Sequence, residues 1–201
     1  MRTAAAGLLL LIVVPSVALS LPAVERCYRA GIGLRFTAYD FVLPSVQFRP
    51  VPGLSIDAGG FTVRRATSDD TERWNRAQAG VAYVFPTTTK IHPRLGLRYQ
   101  WHTGHQWHRG GLNPDGGDIY THTKDSRTVR LCAEVGAEVQ LSRLEIQFAL
   151  LPACYLDRRE DDVYARTDPW GAPLWGDVHE RDRGLRMEMG AVSFALLFGL
   201  F

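Results

Sequence analysis

Apolar and polar side chains alternate with a period of two along much of this chain. The clearest stretch is Thr128–Leu141, in which every second residue from Val129 to Leu141 is apolar. The intervening positions include Arg130, Glu134 and Glu138. Successive side chains of a strand point to opposite faces, so this stretch predicts a strand with one apolar and one polar face. Fourteen residues also exceed the usual strand length of a soluble protein.

Eight segments carry this alternation, and their connections fall into two classes. The segments are approximately 30–40, 42–50, 54–65, 78–87, 93–102, 128–141, 144–156 and 186–201. Short links lie near Pro52-Gly53, Thr88–Ile91 and Ser142-Arg143, whereas 66–77, 103–127 and 157–185 are long and polar. Short turns that alternate with long loops are typical of membrane barrels. We therefore predict an all-β fold, an eight-stranded antiparallel up-and-down transmembrane β-barrel with three long outer loops.

The period alone does not say which face points inward, because a lipocalin-like soluble barrel has the opposite polarity. The polar face carries six cations and five anions: Arg35, Arg49, Arg94, Arg98, Arg130, Arg186, Asp57, Glu134, Glu138, Glu145 and Glu188. Such a nearly neutral set can pair inside a barrel that is too narrow for an open channel. We predict a lumen ion network of Arg94, Arg98, Arg130, Glu134, Glu138 and Glu145.

The amino-terminal residues are typical of a secretory signal peptide. Arg2 precedes an apolar run that is too short for a membrane-spanning helix, and small residues follow up to Ser20. We therefore predict a signal peptide at 1–20 and a barrel domain at 21–201. The net charge of +2 gives no reason to expect a nucleic-acid partner.

The chain ends in GAVSFALLFGLF, an apolar stretch that closes on the aromatic residue Phe201. A terminal aromatic after an amphipathic strand resembles the carboxy terminus of bacterial outer-membrane β-barrel proteins. The resemblance implies recognition of Phe201 by the barrel insertion machinery, a location in the outer membrane of a Gram-negative bacterium, and outer-membrane lipid and lipopolysaccharide as partners. Phe194 and Leu196 share the parity of Arg186, so either the lower lumen is apolar or the register changes within this segment.

One loop offers residues for catalysis. Some outer-membrane barrels of this size are lipid A deacylases, which use a His–Ser pair and a carboxylate. The top of segment five and the loop after it resemble them in part and would supply His102, His105 and Asp118, but the expected His-x-Ser-Asn motif is absent. The histidine spacing matches no recognised metal site. We expect no metal and no cofactor.

Three cysteines do not make a disulfide framework. If Leu141 pairs with Leu144, Cys132 faces Ala153 and the thiols of Cys132 and Cys154 point to opposite faces. We therefore predict free thiols, with a bond as the alternative if Pro152 bends the strand.

These patterns together predict a small outer-membrane barrel with a filled polar lumen and a structural or surface-binding role, without catalysis. The alternative function is a lipid A-modifying hydrolase of the same architecture. A soluble ligand-binding barrel is the third possibility.

Overall fold

The computed structural model describes residues 29–37, 42–110, 120–167, 173–187 and 191–200. These residues form ten β-strands: β1 (Ala30–Thr37), β2 (Val42–Phe48), β3 (Leu54–Ala66), β4 (Asp70–Val84), β5 (Ile91–Arg109), β6 (Tyr120–Leu141), β7 (Leu144–Leu150), β8 (Ala153–Thr167), β9 (Pro173–Met187) and β10 (Val192–Gly199). No helix long and apolar enough to cross a membrane occurs among these residues. The predicted signal peptide and Phe201 lie outside the described residues, so both assignments stay predictions.

Eight of the strands close into a barrel in the order β1-β2-β3-β4-β5-β6-β7-β10, with β10 returning to β1. Every pairing in this ring is antiparallel. Tight turns join the strands at one end. In the two-residue link of β6 to β7, Ser142 adopts a φ of 57°, the positive value that such turns require. The predicted all-β, eight-stranded antiparallel barrel is confirmed.

The apolar face of the barrel wall points outward and the polar face points inward, as a membrane-spanning barrel requires. Leu95, Phe148 and Phe198 lie on the outer surface, where each is about half exposed. Arg35, Arg98 and other ionic side chains point inward and are fully buried. A soluble barrel would have the reverse polarity, so the lipocalin-like alternative is wrong.

The prediction of three long outer loops at 66–77, 103–127 and 157–185 is wrong, because most residues of these regions belong to paired strands. β3 continues to Ala66 and β4 begins at Asp70, while β5 and β6 remain paired as far as Arg109 and Thr121. These hairpins extend past the ends of β1 and β2. Both faces of the extensions are polar, so the period-two contrast that revealed the lower strands is missing there.

The third extension is the hairpin of β8 and β9, in which β8 replaces β7 as the neighbour of β6. Val135 pairs with Leu150, but Cys132 pairs with Cys154, so two residues of β6 face three residues of the other strand. This extra residue is a β-bulge, and Pro152 lies within it.

The bulge brings Cys132 and Cys154 to the same inward face, where they form a disulfide. The prediction of free thiols is therefore wrong, because it carried the register of the lower hairpin unchanged through Pro152. The structure follows the alternative, in which the strand is displaced at that proline. Leu151 and Ala191 pack with the disulfide as a buried apolar cluster.

The alternation of inward and outward side chains changes phase near the carboxy terminus, which explains why Phe194 and Leu196 share the parity of Arg186. Arg186 lies in β9 opposite the inward-facing Cys154. In β10 the residues of the same parity, Leu196 and Phe198, face outward, while Ala195 and Leu197 are buried inside. The register therefore changes between β9 and β10, and the apolar side chains of β10 reach the membrane face.

Candidate functional site

The buried charges of the barrel interior define a first candidate site, which we call the lumen network. Within the described part of the chain it contains four guanidinium groups and four carboxylates, so its formal charges cancel. Its members are Arg35, Arg49, Arg94, Arg98, Asp57, Glu134, Glu138 and Glu145. Each projects from an alternate position of a barrel strand or, for Arg49, from the end of β2.

Arg98 of β5 forms the centre of the network. Its Nη1 and Nη2 donate to the two oxygens of Asp57 at 2.8 and 3.2 Å, and its Nε donates to Glu134 Oε2 at 2.6 Å. Gly80 provides the space for this contact, because a Cβ there would lie 2.7 Å from Asp57 Oδ2. Arg94 Nη2 is 2.8 Å from Glu134 Oε1, close enough for an ion pair but without the alignment of a hydrogen bond.

Arg49 holds a second group of charges near the short turns. Its Nη1 and Nη2 each donate to one oxygen of Glu138 at 3.2 Å. Its Nη2 also donates to Glu145 of β7. One guanidinium therefore serves two carboxylates that repel each other, in the bidentate geometry that favours arginine over lysine.

Gln147 and Arg35 connect the two groups. Arg35 Nη2 donates to Gln147 Oε1 at 2.6 Å, and Gln147 Nε2 donates to Glu145 Oε1 at 2.5 Å. Arg35 also lies 3.4 Å from Asp57 Oδ1 and donates to Ser193 of β10 at 3.2 Å. The contacts thus run across the barrel and tie β1, β3, β7 and β10 together, which fills the lumen with ordered side chains.

The structure brings five of the six predicted network residues into these contacts. Arg130 is the exception: it is half-buried on the next rung above the disulfide, opposite Gln100 in the register, and its membership stays a prediction. Sequence reasoning placed Arg35, Arg49 and Asp57 on the polar face but left them out of the network. They come from the proline-interrupted amino-terminal segments, whose register the sequence does not define.

The residues considered for hydrolysis do not assemble as a triad within the described residues. His105 Nδ1 lies 2.7 Å from Asp125 Oδ1 on the outer face, and both side chains are about half exposed. His102 has the opposite parity and packs against Trp74, with ring centroids 5.5 Å apart. Asp118 lies outside the described residues. Ser126 is next to Asp125 in sequence but lies on the inner face, opposite Gly104.

Two further histidines of the extensions also contact carboxylates. His108 contacts Asp70, and His122 Nε2 lies 2.5 Å from Asp162 Oδ1. Among the described residues no group of three or more His, Cys, Asp or Glu side chains is placed to hold a metal ion.

His179 of β9 and Asp161 of β8 form a hydrogen-bonded pair in the third extension. His179 Nδ1 lies 2.7 Å from Asp161 Oδ1, and its Nε2 lies 2.9 Å from Asp177 Oδ2. The hydrogen bond to Asp161 raises the pKa of His179, with the charge of Asp177 adding to it. The same hydrogen bond lowers the pKa of Asp161.

Comparisons with known proteins give one structural likeness to report. No protein-family model and no curated protein matches this chain. Among solved structures, the chain is similar to the crystal structure of a major outer membrane protein from Thermus thermophilus. The TM-score is 0.41, with 13% sequence identity over 86% of this chain and 100% of that chain. A likeness at this level adds nothing to the geometry described above.

Proposed function

We propose that the chain is a small β-barrel of the bacterial outer membrane, with a filled lumen and a structural or surface-binding role that involves no catalysis. The observation that carries this proposal is the polarity of the wall, in which a buried, charge-balanced lumen lies within a belt of exposed apolar side chains. In a membrane that outer belt meets acyl chains, and closure satisfies the backbone of every strand in the ring.

The lumen network supports a barrel that does not conduct ions. An eight-stranded barrel has room inside for side chains only. Here Arg49 connects the end of β2 with β6 on the opposite side, and Arg35 connects β3 with β7 across the lumen. Any permeating ion would have to break those contacts. The three extended hairpins then offer the surface for binding.

Two measurements test this function. The mature chain should fractionate with outer membranes and should migrate faster on a gel before heating in detergent than after it, as closed barrels do. In planar lipid bilayers the purified barrel should give no stepwise conductance. Stepwise ion currents from wild-type protein would contradict the filled lumen, and recovery of the chain in the soluble fraction would contradict the membrane role.

A lipid A hydrolase remains the second candidate, and the contact of His105 with Asp125 favours it. A carboxylate that orients a histidine is part of a catalytic triad. The outward hydroxyl two residues before that histidine belongs to Thr103 and accepts from Asn75 Nδ2, while Ser126 lies on the other face. Mass spectrometry of lipid A after incubation with the protein separates the two functions. An unchanged mass supports the non-catalytic role, whereas loss of an acyl chain that His105→Ala abolishes would establish the hydrolase.

A further inference from the structure

A row of hydrogen-bonded polar side chains marks the upper edge of the apolar belt on β3, β4 and β5. Thr62 Oγ1 donates to Asn75 Oδ1 at 3.0 Å, and Asn75 Nδ2 donates to Thr103 Oγ1 at 3.0 Å. The row directly below contains Ala77 and Trp101. Since tryptophan favours the boundary between acyl chains and headgroups, this polar row lies at headgroup depth.

Three arginines stand on the outer face at or just above the polar row, and we call them the arginine rim: Arg64, Arg73 and Arg127. Arg64 and Arg73 are direct cross-strand partners. Like charges in such positions destabilise a sheet. Arg127 lies opposite Thr103 on one side and opposite a further arginine, Arg159, on the other.

The neighbouring carboxylates make their closest contacts with side chains outside the rim. Asp125 contacts His105 at 2.7 Å, and Asp161 contacts both Arg159 at 2.9 Å and His179 at 2.7 Å. Within the part of the chain that the structure describes, no rim arginine forms an ion pair with a carboxylate. All three are exposed, so their guanidinium groups are available to an external anion.

The rim borders a surface cavity of about 530 Å³. Three arginines (Arg73, Arg127 and Arg159) outnumber the two carboxylates (Asp125 and Asp161) around it, and Asn75 and Thr103 add neutral polar groups. Guanidinium groups match the oxygens of phosphate in a bidentate manner, and several converging arginines favour a doubly charged phosphate.

We propose that the arginine rim binds the phosphate of an anionic lipid in the leaflet next to the long hairpins. This inference rests on the proposed membrane function and assigns a ligand class to the barrel surface. A lipid fits better than a soluble anion because the rim adjoins the apolar belt directly. Below it, Pro44, Ala58, Gly60 and Ala77 leave a groove of about 910 Å³ on the membrane face that could receive an acyl chain.

Native mass spectrometry of the full mature barrel in detergent tests the proposal. Phosphatidic acid, which carries a phosphate monoester, is the probe, and phosphatidylcholine is the zwitterionic control. Each arginine near a charged surface is worth about fivefold in affinity, so R64Q/R73Q/R127Q should weaken phosphatidic acid binding about 100-fold. The matched control is R143Q, an exposed arginine in the short turn at the other end of the barrel.

The triple lysine variant R64K/R73K/R127K keeps the charge but loses the bidentate geometry, and it should bind with intermediate affinity. The lysine variant also tests the proposal if the glutamine variant does not fold. Wild-type affinity in either triple variant would overturn the proposal. Inorganic phosphate that competes as strongly as phosphatidic acid would show a site for a free anion instead, which also overturns it. The heat-dependent gel shift reports insertion separately, so loss of lipid binding with the shift retained leaves the membrane function standing.

Discussion

Arg49 is the residue whose removal tests the lumen network most sharply. It is the guanidinium that Glu138 and Glu145 share, and all three side chains are buried. Arg49→Met keeps the length and the apolar stem of the side chain but removes the charge. Removing one partner of a buried ion pair costs about 3–5 kcal/mol, because the remaining charge stays buried and unpaired. We expect a loss of about that size in the free energy of unfolding.

A neutral replacement of the whole group should recover most of that stability. In Arg49→Met/Glu138→Gln/Glu145→Gln no ionised member of the group remains buried. Exchanging a complete buried ionic group for neutral residues of similar volume is often close to neutral in energy. The control is Arg143→Met, an exposed residue of the nearby turn, for which we expect a change within about 0.5 kcal/mol.

Urea unfolding in lipid vesicles, followed by intrinsic fluorescence, gives the free energies. The expected order of stability is wild type, then the triple variant, then the single variant. The heat-dependent gel shift verifies closure of each barrel. If Arg49→Met unfolded at the wild-type urea concentration, or if the triple variant were less stable than the single one, the interior would not depend on this ion group.

Three further outcomes follow from the contacts described. Alkylation of unfolded, unreduced protein should leave Cys132 and Cys154 unmodified, and replacing both with serine should cost about 2–4 kcal/mol in urea unfolding. In NMR titration His179 should titrate above an ordinary histidine, and Asp161→Asn should reduce the shift. The raised pKa of His179 makes its contribution to stability complete at low pH and lost as pH rises through the folded value. The lowered pKa of Asp161 makes its contribution to stability complete at neutral pH and lost as pH falls through its folded pKa. The contact should therefore stabilise the fold most at pH values between the folded pKa of Asp161 and that of His179. A Cβ at Gly33 would overlap the backbone of β10, so Gly33→Val should weaken closure and reduce the gel-shifted fraction.

The regular strands were predictable because one face of each is continuously apolar. Thr128–Leu141 and its partner from Leu144 onward give the hairpin, its turn and its division into one apolar and one polar face directly from the sequence. The balance of charge on the polar face also indicated the direction of the faces, since Arg98 and Glu134 could be buried only together. The structure places both in the barrel centre.

Two features depended on information that a hydrophobic period does not carry. The extensions have polar residues on both faces, as at Lys124 and Asp125, so nothing in the pattern distinguishes a strand there from a loop. The disulfide depends on a one-residue bulge at Pro152, and a single shift of register exchanges the faces of every later residue. The proline was the available signal, but it does not reveal the size of the shift.

The membership of the lumen network was harder to predict than its existence. Arg49 lies just beyond β2, and the direction of its side chain depends on Pro44 and Pro50 in the surrounding segment. Long arginine side chains also reach across the barrel to strands that are distant in sequence, as Arg49 reaches Glu138. Such contacts follow from closure of the sheet, which local pattern does not specify.

The central claim is the direction of the two faces, and quenching by brominated lipid tests it most directly. A bimane label is attached to a single cysteine at Phe148 or at the adjacent Gln147, in a Cys27→Ser background. Phe148 is 52% exposed on the outer face and Gln147 is 1% exposed within the lumen. Bromine on the acyl chains should quench the label at position 148 strongly and the label at position 147 weakly. Equal quenching, or stronger quenching at 147, would contradict a barrel with apolar side chains outside and an ionic interior.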